Sequence, residues 1–473
     1  MRKTYFMASL TLAATMAMTA CQNDDTYSSI DEFLSAQGAD DDDDDDDEDS
    51  TSTTTYAVSV VYNGTSATVT VADDIADYIT VSKSGAHVSV VQSSDVAGQV
   101  TYTLSGTSTN GSFYMDGSYK IGLVLDNLTL TCADSAAINI QDGKHCDVTM
   151  VGTSTLTDGS ASASKACMII EGNPTFSGGA LYIYGNTKHA LACGEKTIIT
   201  DGTLYCYSKG EGDAIHVSEY LQVDGGTVEA YATGGDGIDI GFRGESKGTK
   251  DQYENNGFAI FNGGSITAST TADAYKAIKT DSTVLIQGAT VSAVTAGDAV
   301  YDSDEDDISS SAAVKTKGAF TITSGSLEAI STGDGGKGIN ATYDINISGG
   351  TVSVTTTGDT FTYGEDDTKP HGIKTDTDIN INGGFVYVFA SEDDGRALKA
   401  GDEGALTINS GTVIAVGGKK SEPSGGTQGY NLYSGETITA GSTITYDGVS
   451  CEVPSNYSNS SAKVLVSAST IEN

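Results

Sequence analysis

A turn glycine followed by alternating small and branched residues returns along most of this chain at nearly constant spacing, and no other feature restricts the possible folds as strongly. The residue just past the glycine turn is Ala180, Thr203, Thr227, Ser265, Thr290, Ser326, Thr351, Phe385 and Thr412 in successive copies. The period is about 25 residues, with three longer members, and self-similarity at such a period marks a repeat architecture. One place beyond this anchor lie Leu181, Leu204, Val228, Ile266, Val291, Leu327, Val352, Val386 and Val413. Two places further lie Ile183, Cys206, Ala230, Ala268, Ala293, Ala329, Val354, Val388 and Ala415. Positions i and i+2 share one face of a strand, so each copy offers an inward pair from the same strand.

A second apolar strand precedes each glycine, as in Val284-Leu285-Ile286 and Ile345-Asn346-Ile347, and a third recurs in Ala277-Ile278, Ala313-Val314, Ile339, Ile373 and Ala397-Leu398. With 57 glycines, 4 prolines and no tryptophan, the composition favours strands and turns over helices. Three strands and three turns per repeat predict an all-β protein: a right-handed parallel β-helix, a single-stranded solenoid of about nine coils of ~25 residues. A propeller blade needs a longer period. The boundaries expected are a signal peptide over 1–20, an acidic flexible stalk over 21–54, an N-terminal β cap or small β domain over 55–118, the helix over 119–425 and a C-terminal β cap over 426–473. Caps are expected because an open stack exposes core and unpaired edges.

Arg2 and Lys3 precede an apolar run from Phe6 to Ala20 that is too short to span a bilayer and reads as a secretory signal. Its end, Met18-Thr19-Ala20-Cys21, resembles a lipobox, and the following Gln22-Asn23-Asp24-Asp25 resembles an acidic export tag of surface lipoproteins. That likeness implies lipidation at Cys21, a membrane partner through the lipid, and an outer-membrane location exposed at the cell surface. Residues 40–49 are consecutive acids, a block that repels itself and stays extended. The formal net charge is -40, which argues against nucleic-acid binding. No Cys-x-x-Cys or Cys/His spacing of a zinc site occurs. Cys167 and Cys193 lie about one repeat apart and are expected as stacked buried thiols. A monomer is expected.

An acid closes most repeats at a common offset: Asp273, Asp298, Asp334, Asp359 and Asp393, with Asp236 one place and Asp213 two places later in their copies. Stacked carboxylates ~5 Å apart repel unless a cation sits among them. Calcium suits them, since it takes six to eight oxygens in flexible geometry; Asp236, Asp239, Asp273, Asp298, Asp334, Asp359, Asp393 and Asp394 are the metal candidates. Gly-Asp is also ordinary turn chemistry, and that reading stays open. Beside the acids runs a basic column of Lys279, Lys315, Lys374 and Lys399, with Asn340 in the same place. These lysines either neutralise the aspartates or pair with the carboxylates of a polyuronate. Tyr182, Tyr184, Tyr205, Tyr207 and Tyr231 occupy outward places over three copies, as a strip suited to sugar rings or as a face covered by the N-terminal region. The long copies insert Phe242 to Gly257, Asp302 to Ala312 and Thr360 to Pro370 at similar phase, so they should wall a groove.

The repeated Gly-Gly-Thr-Val, Gly-Asp-Gly-Ile-Asp at 235–239 and Lys-Ala-Ile-Lys-Thr-Asp at 276–281 resemble the calcium-binding carbohydrate-binding β-helix family, which is similar in fold to pectate lyases. The resemblance covers about 150–425 and rests on the combined pattern. It implies calcium at the acidic turns and a polysaccharide ligand, cellulose or polygalacturonate. The expected function is calcium-dependent binding of an acidic plant polymer such as pectin by a surface lipoprotein, without catalysis. A structural surface protein or adhesin is one alternative. The other is a calcium-dependent lyase with Lys279, Lys315, Lys374 or Lys399 as base; against it, arginine within the repeats is confined to Arg243 and Arg396, and no Arg-x-Pro-x-x-Arg pattern occurs.

Overall fold

The computed structural model describes residues 56–93, 98–242 and 256–472. The signal segment, Cys21, the acidic run and most of the insert between Phe242 and Gly257 lie outside them. Every described repeat is built of strands, and the nine anchor residues stand opposite one another in one parallel register from Ala180↔Thr203 through Thr290↔Ser326 to Phe385↔Thr412. Because pairing partners share a face, the large and small inward residues form two continuous columns. Leu181, Val228, Leu327, Val352 and Val413 are all buried in the first, and Cys206, Ala268, Ala329 and Val388 in the second. Each fully buried Val or Leu contributes roughly 1.5–3 kcal/mol over exposure, so the periodic pattern adds to the strand pairing that joins neighbouring repeats.

The single-stranded right-handed β-helix of about nine coils between separate caps is nevertheless not what the chain builds. The described strands gather into one 20-stranded sheet, one 13-stranded sheet and three two-stranded sheets. The first two strand segments of a repeat belong to the same large sheet. In Val284–Thr295 and Phe320–Ser331 they are one unbroken strand, and the pairing shifts register at the glycine. The glycine expected at a corner is therefore a bulge inside a strand. Gly325 shows why it is glycine: its φ is +80°, and a Cβ there would lie 2.3 Å from the Ala289 carbonyl oxygen. The third segment of each repeat joins the 13-stranded sheet, and residues of both large sheets share one core.

The end regions are also continuous with these sheets. Tyr56–Asn63 pairs in parallel with Val100–Ser108, which pairs in parallel with Ile121–Cys132. Gly106, φ +86°, marks the same bulge in Val100–Ser108, but Asn127 takes that place in Ile121–Cys132, so the glycine pattern is interrupted in the sequence there. At the other end Asn459–Ser467 pairs antiparallel with Leu406–Gly417 and closes the edge. The six described cysteines are free. Cys167 and Cys193 are buried, but the register sets Cys193 opposite Ile170, so the two thiols do not stack.

Candidate functional site

In the small sheet, Ile278, Val314, Ile339, Ile373 and Leu398 are buried in the core. Strand alternation therefore turns the next residue of each outward. The register makes these outward residues one column: His216, Asp239, Lys279, Lys315, Asn340, Lys374, Lys399. Its sign changes along the stack. Lys279 contacts Asp239 at 2.8 Å and Asp236 at 3.5 Å, so at this end lysine does neutralise the acids. Burial opposes its charge, but those two carboxylates outweigh it and hold the ammonium above the ordinary lysine range.

Beyond Lys279 the balance reverses. Lys315 has no carboxylate partner among the described residues, and burial together with Lys374 pushes it down to about 8. Lys337, 3% exposed, donates to the Gly335 carbonyl at 2.6 Å, Thr368 Oγ1 at 2.7 Å and Ser310 Oγ at 3.3 Å, all neutral. Burial, then Lys374 and Lys315, depress it to about 7. His371 is driven to about 3 by burial and by Lys337, Lys374 and Arg396, so its Nδ1 is free to accept the Arg396 N–H at 3.1 Å. Lys374 and Lys399 bond exposed acids, Asp376 and Asp402, at 2.7 Å each. Such exposed pairs contribute ~0–1 kcal/mol and yield easily to a better anion.

Lys337, His371, Lys374 and Lys399 line a trough made of two adjoining hollows of about 450 and 420 Å³ that share Lys374 and Lys399, with Asp367, Asp376, Asp394, Asp402 and Glu403 also in their walls. Lys369, Arg396 and Lys419 stand on its rim. Two inserts form hairpins, Val300–Asp302 with Asp307–Ser309 and Phe361–Tyr363 with Asp366–Thr368, and of these the second walls the larger hollow through Asp367 and Thr368. They meet through Ser310 and Thr368 hydroxyls at 3.0 Å and through the Tyr301 and Tyr363 rings, stacked 4.0 Å apart at 9°. Tyr363 is 51% exposed. This aromatic pair, Lys369 and Lys419 escaped sequence reasoning, since none falls on a repeat position; the insertion lengths were the only signal for Tyr301, Tyr363 and Lys369, and Lys419, just past Leu406–Gly417, had none.

The acidic ladder resolves into two sets. Asp298 N–H donates to Asp273 Oδ1 at 2.9 Å, Asp334 N–H to Asp298 Oδ1 and Asp359 N–H to Asp334 Oδ1 at 2.8 Å each. Thr360 N–H donates to Asp393 Oδ2 at 2.8 Å. The carboxylates of Asp273, Asp298, Asp334 and Asp393 thus each cap a turn amide of the neighbouring repeat, which gives the column a structural role of its own. Asp273, Asp298, Asp359 and Asp393 are exposed and Asp334 half-buried, so every one keeps a second oxygen for other partners. Asp213, Asp236 and Asp239 are separate and buried. Asp213 Oδ1 accepts the Asp236 N–H at 2.8 Å, and Asp236 Oδ1 the Lys276 N–H at 2.6 Å. Burial raises Asp236 to about 6. Burial also opposes ionisation of Asp239, but His216 and Lys279 hold it below the usual carboxylate range. Asp394 pairs with Lys419 at 2.8 Å.

The tyrosines form the expected strip on the large sheet and are half-buried. Tyr184, Tyr207 and Tyr231 pair in register, as do Tyr182 and Tyr205, with ring centroids 5.4 Å apart for Tyr182–Tyr205 and 5.5 Å for Tyr205–Tyr231. They lie in a different sheet from the lysines, so the two sequence-derived surfaces are not brought together.

A family model described as carbohydrate-binding domain-containing protein matches residues 84–336 and 315–421. No curated protein matches the chain. Among solved structures, a polysaccharide lyase-like protein from C. thermocellum, studied as a gadolinium derivative, is similar at 20% identity with a TM-score of 0.43, over 56% of this chain and 96% of that one.

Proposed function

Because the chain belongs to the carbohydrate-binding domain-containing protein family, we propose that it binds an acidic polysaccharide, of the polygalacturonate type found in pectin, along the lysine trough of the small sheet. One observation carries this reading. In a chain of net charge -40, Lys337, Lys374, Arg396 and Lys399 line one trough, where Lys337 bonds only neutral groups and Lys374 and Lys399 pair only with the exposed Asp376 and Asp402, and Lys315 in the same column has no carboxylate partner among the described residues. Keeping cations desolvated and mutually repelled costs free energy, and a polyanion laid along the trough recovers it. The step between parallel strands, ~4.8 Å, sets Lys315, Lys374 and Lys399 in one row, with Asn340 between the first two, that a regular polymer can follow. Tyr301 and Tyr363 add an aromatic face for sugar rings.

Calcium fits the five acids Asp273, Asp298, Asp334, Asp359 and Asp393 through their remaining oxygens and water. It would supply bridges from those oxygens to uronate carboxylates at the trough's margin. It does not fit Asp236 and Asp239, where Lys279 already occupies the space between the carboxylates. The lipid anchor at Cys21 and cell-surface display belong to the same proposal.

A lyase reading has one observation in its favour: Lys315, unpaired and held near 8, is available as a neutral base for the proton beside a uronate carboxylate. Retention on polygalacturonate, methyl-esterified pectin and cellulose columns, with ultraviolet absorbance of the flow-through, tests both. Retention on polygalacturonate that falls with esterification supports binding, and a steady rise in unsaturated product supports the lyase. Failure to bind any charged glycan at low salt removes the proposal.

A further inference from the structure

His189 opens the strand His189–Cys193, and Asp213 lies in the turn before the strand Ile215–Val217, which carries His216. The register that places Leu191 opposite Ile215 also places His189 beside Asp213. The two imidazoles stack with centroids 4.7 Å apart at 27°, and ligand atoms of the three residues all lie within 4.8 Å of one another. Asp213 Oδ2 is 3.2 Å from Nδ1 of both His189 and His216, and Asp239 Oδ2 is 3.0 Å from His216 Nδ1.

We propose that His189, Asp213 and His216 form a binding site for a borderline divalent cation such as zinc, with Asp239 or water completing the tetrahedron. Zinc bonds nitrogen and carboxylate oxygen at ~2.0–2.2 Å, which in tetrahedral geometry sets neighbouring ligand atoms roughly 3.3 Å apart. The two Asp213–histidine separations of 3.2 Å match that edge, and the ligand nitrogens of His189 and His216, within 4.8 Å of each other, close onto a shared metal by rotation of the side chains. Two imidazoles with few oxygens suit zinc or its transition-metal neighbours and not calcium. His189 Nδ1 accepts the Asp213 N–H at 2.9 Å, so it is the unprotonated nitrogen, and the metal exchanges that hydrogen bond for a coordinate bond. On His216 the metal takes the place of the proton shared with Asp213 and Asp239. The side chains of His189 and His216 remain 21% and 31% exposed, which leaves an entry path, while Asp213 is buried and held by the Asp236 N–H on its other oxygen. Lys279 stays with Asp236 and Asp239 and keeps the local charge in balance.

The test is calorimetric titration of zinc chloride into chelator-treated, dialysed full chain, with calcium present in excess. One zinc per chain is expected, with a dissociation constant on the order of micromolar or tighter, weakened at least tenfold in His189→Gln and in His216→Gln. Cobalt(II) bound to the unaltered protein supplies a readout that needs no variant: a visible absorption band of tetrahedral intensity is expected. Absence of both heat and band overturns the proposal. So does zinc uptake undiminished in a folded His189→Gln/His216→Gln double variant, which would place the metal elsewhere.

Discussion

Replacing Lys337 with methionine, a side chain of similar length without charge, should change how the protein's stability responds to alkali. Lys337 is 3% exposed, and burial and its cationic neighbours bring it from 10.5 to about 7. The unfolded chain therefore holds this proton up to about pH 10.5, while the folded chain releases it near 7. Between those values the unfolded state binds more protons, so this residue's contribution to stability rises with pH. One pKa unit is ~1.4 kcal/mol, so from pH 7 to pH 10 the gain is up to about 4 kcal/mol. Below pH 7 the buried charge is a net cost, partly offset by hydrogen bonds to Gly335, Thr368 and Ser310 of ~1 kcal/mol each. Urea unfolding followed by far-ultraviolet circular dichroism, run on both proteins at pH 7, 8, 9 and 10, isolates the term. Titrations of groups that do not interact with Lys337, such as that of His216, cancel in the difference between wild type and Lys337→Met. That difference should grow by several kcal/mol in favour of the wild type as pH rises. Parallel curves would refute the reasoning and mean that Lys337 stays charged in the folded state through a partner the account lacks.

At the acid ladder, Asp298→Ala leaves the Asp334 N–H without its acceptor and should cost about 1 kcal/mol in thermal unfolding with a chelator present. Calcium should raise the melting temperature of the wild type and raise that of Asp298→Ala/Asp334→Ala far less. Gly325→Ala forces a side chain onto φ +80° and against Ala289, so a loss of ~1–3 kcal/mol is expected from chemical denaturation; an unchanged midpoint would contradict the bulge. For His216, burial lowers the pKa but Asp213 and Asp239 raise it further, to about 9 from 6.5. Its stabilisation is full below pH 6.5 and is lost as pH passes 9, so His216→Gln should cost more at pH 6 than at pH 10.

The legible part of the fold was the register. Thr290 and Ser326 could be aligned in the sequence because a strand's period of two fixes which residue faces the core, and the structure pairs them. The glycine was legible as a conformational need but not as a bulge. Whether a positive φ turns a corner or only kinks a strand depends on the neighbouring repeat, as the contact of Gly325 with the Ala289 carbonyl illustrates. The same limit applied to the site. The lysine column followed from equal offsets, whereas the partition of the acids, Asp236 and Asp239 to Lys279 and Asp298 to a backbone amide, depends on side-chain direction. Tyr363 lies in an insert and Tyr301 just before one, where no period operates.

The most direct measurement is calorimetric titration of an oligogalacturonate into the purified protein at two salt concentrations, beside the variant Lys374→Ala/Lys399→Ala, whose cations line both hollows of the trough. The account predicts measurable affinity that weakens with salt and falls at least tenfold in the variant, while the melting temperature hardly moves. Equal affinity in the two proteins would contradict it.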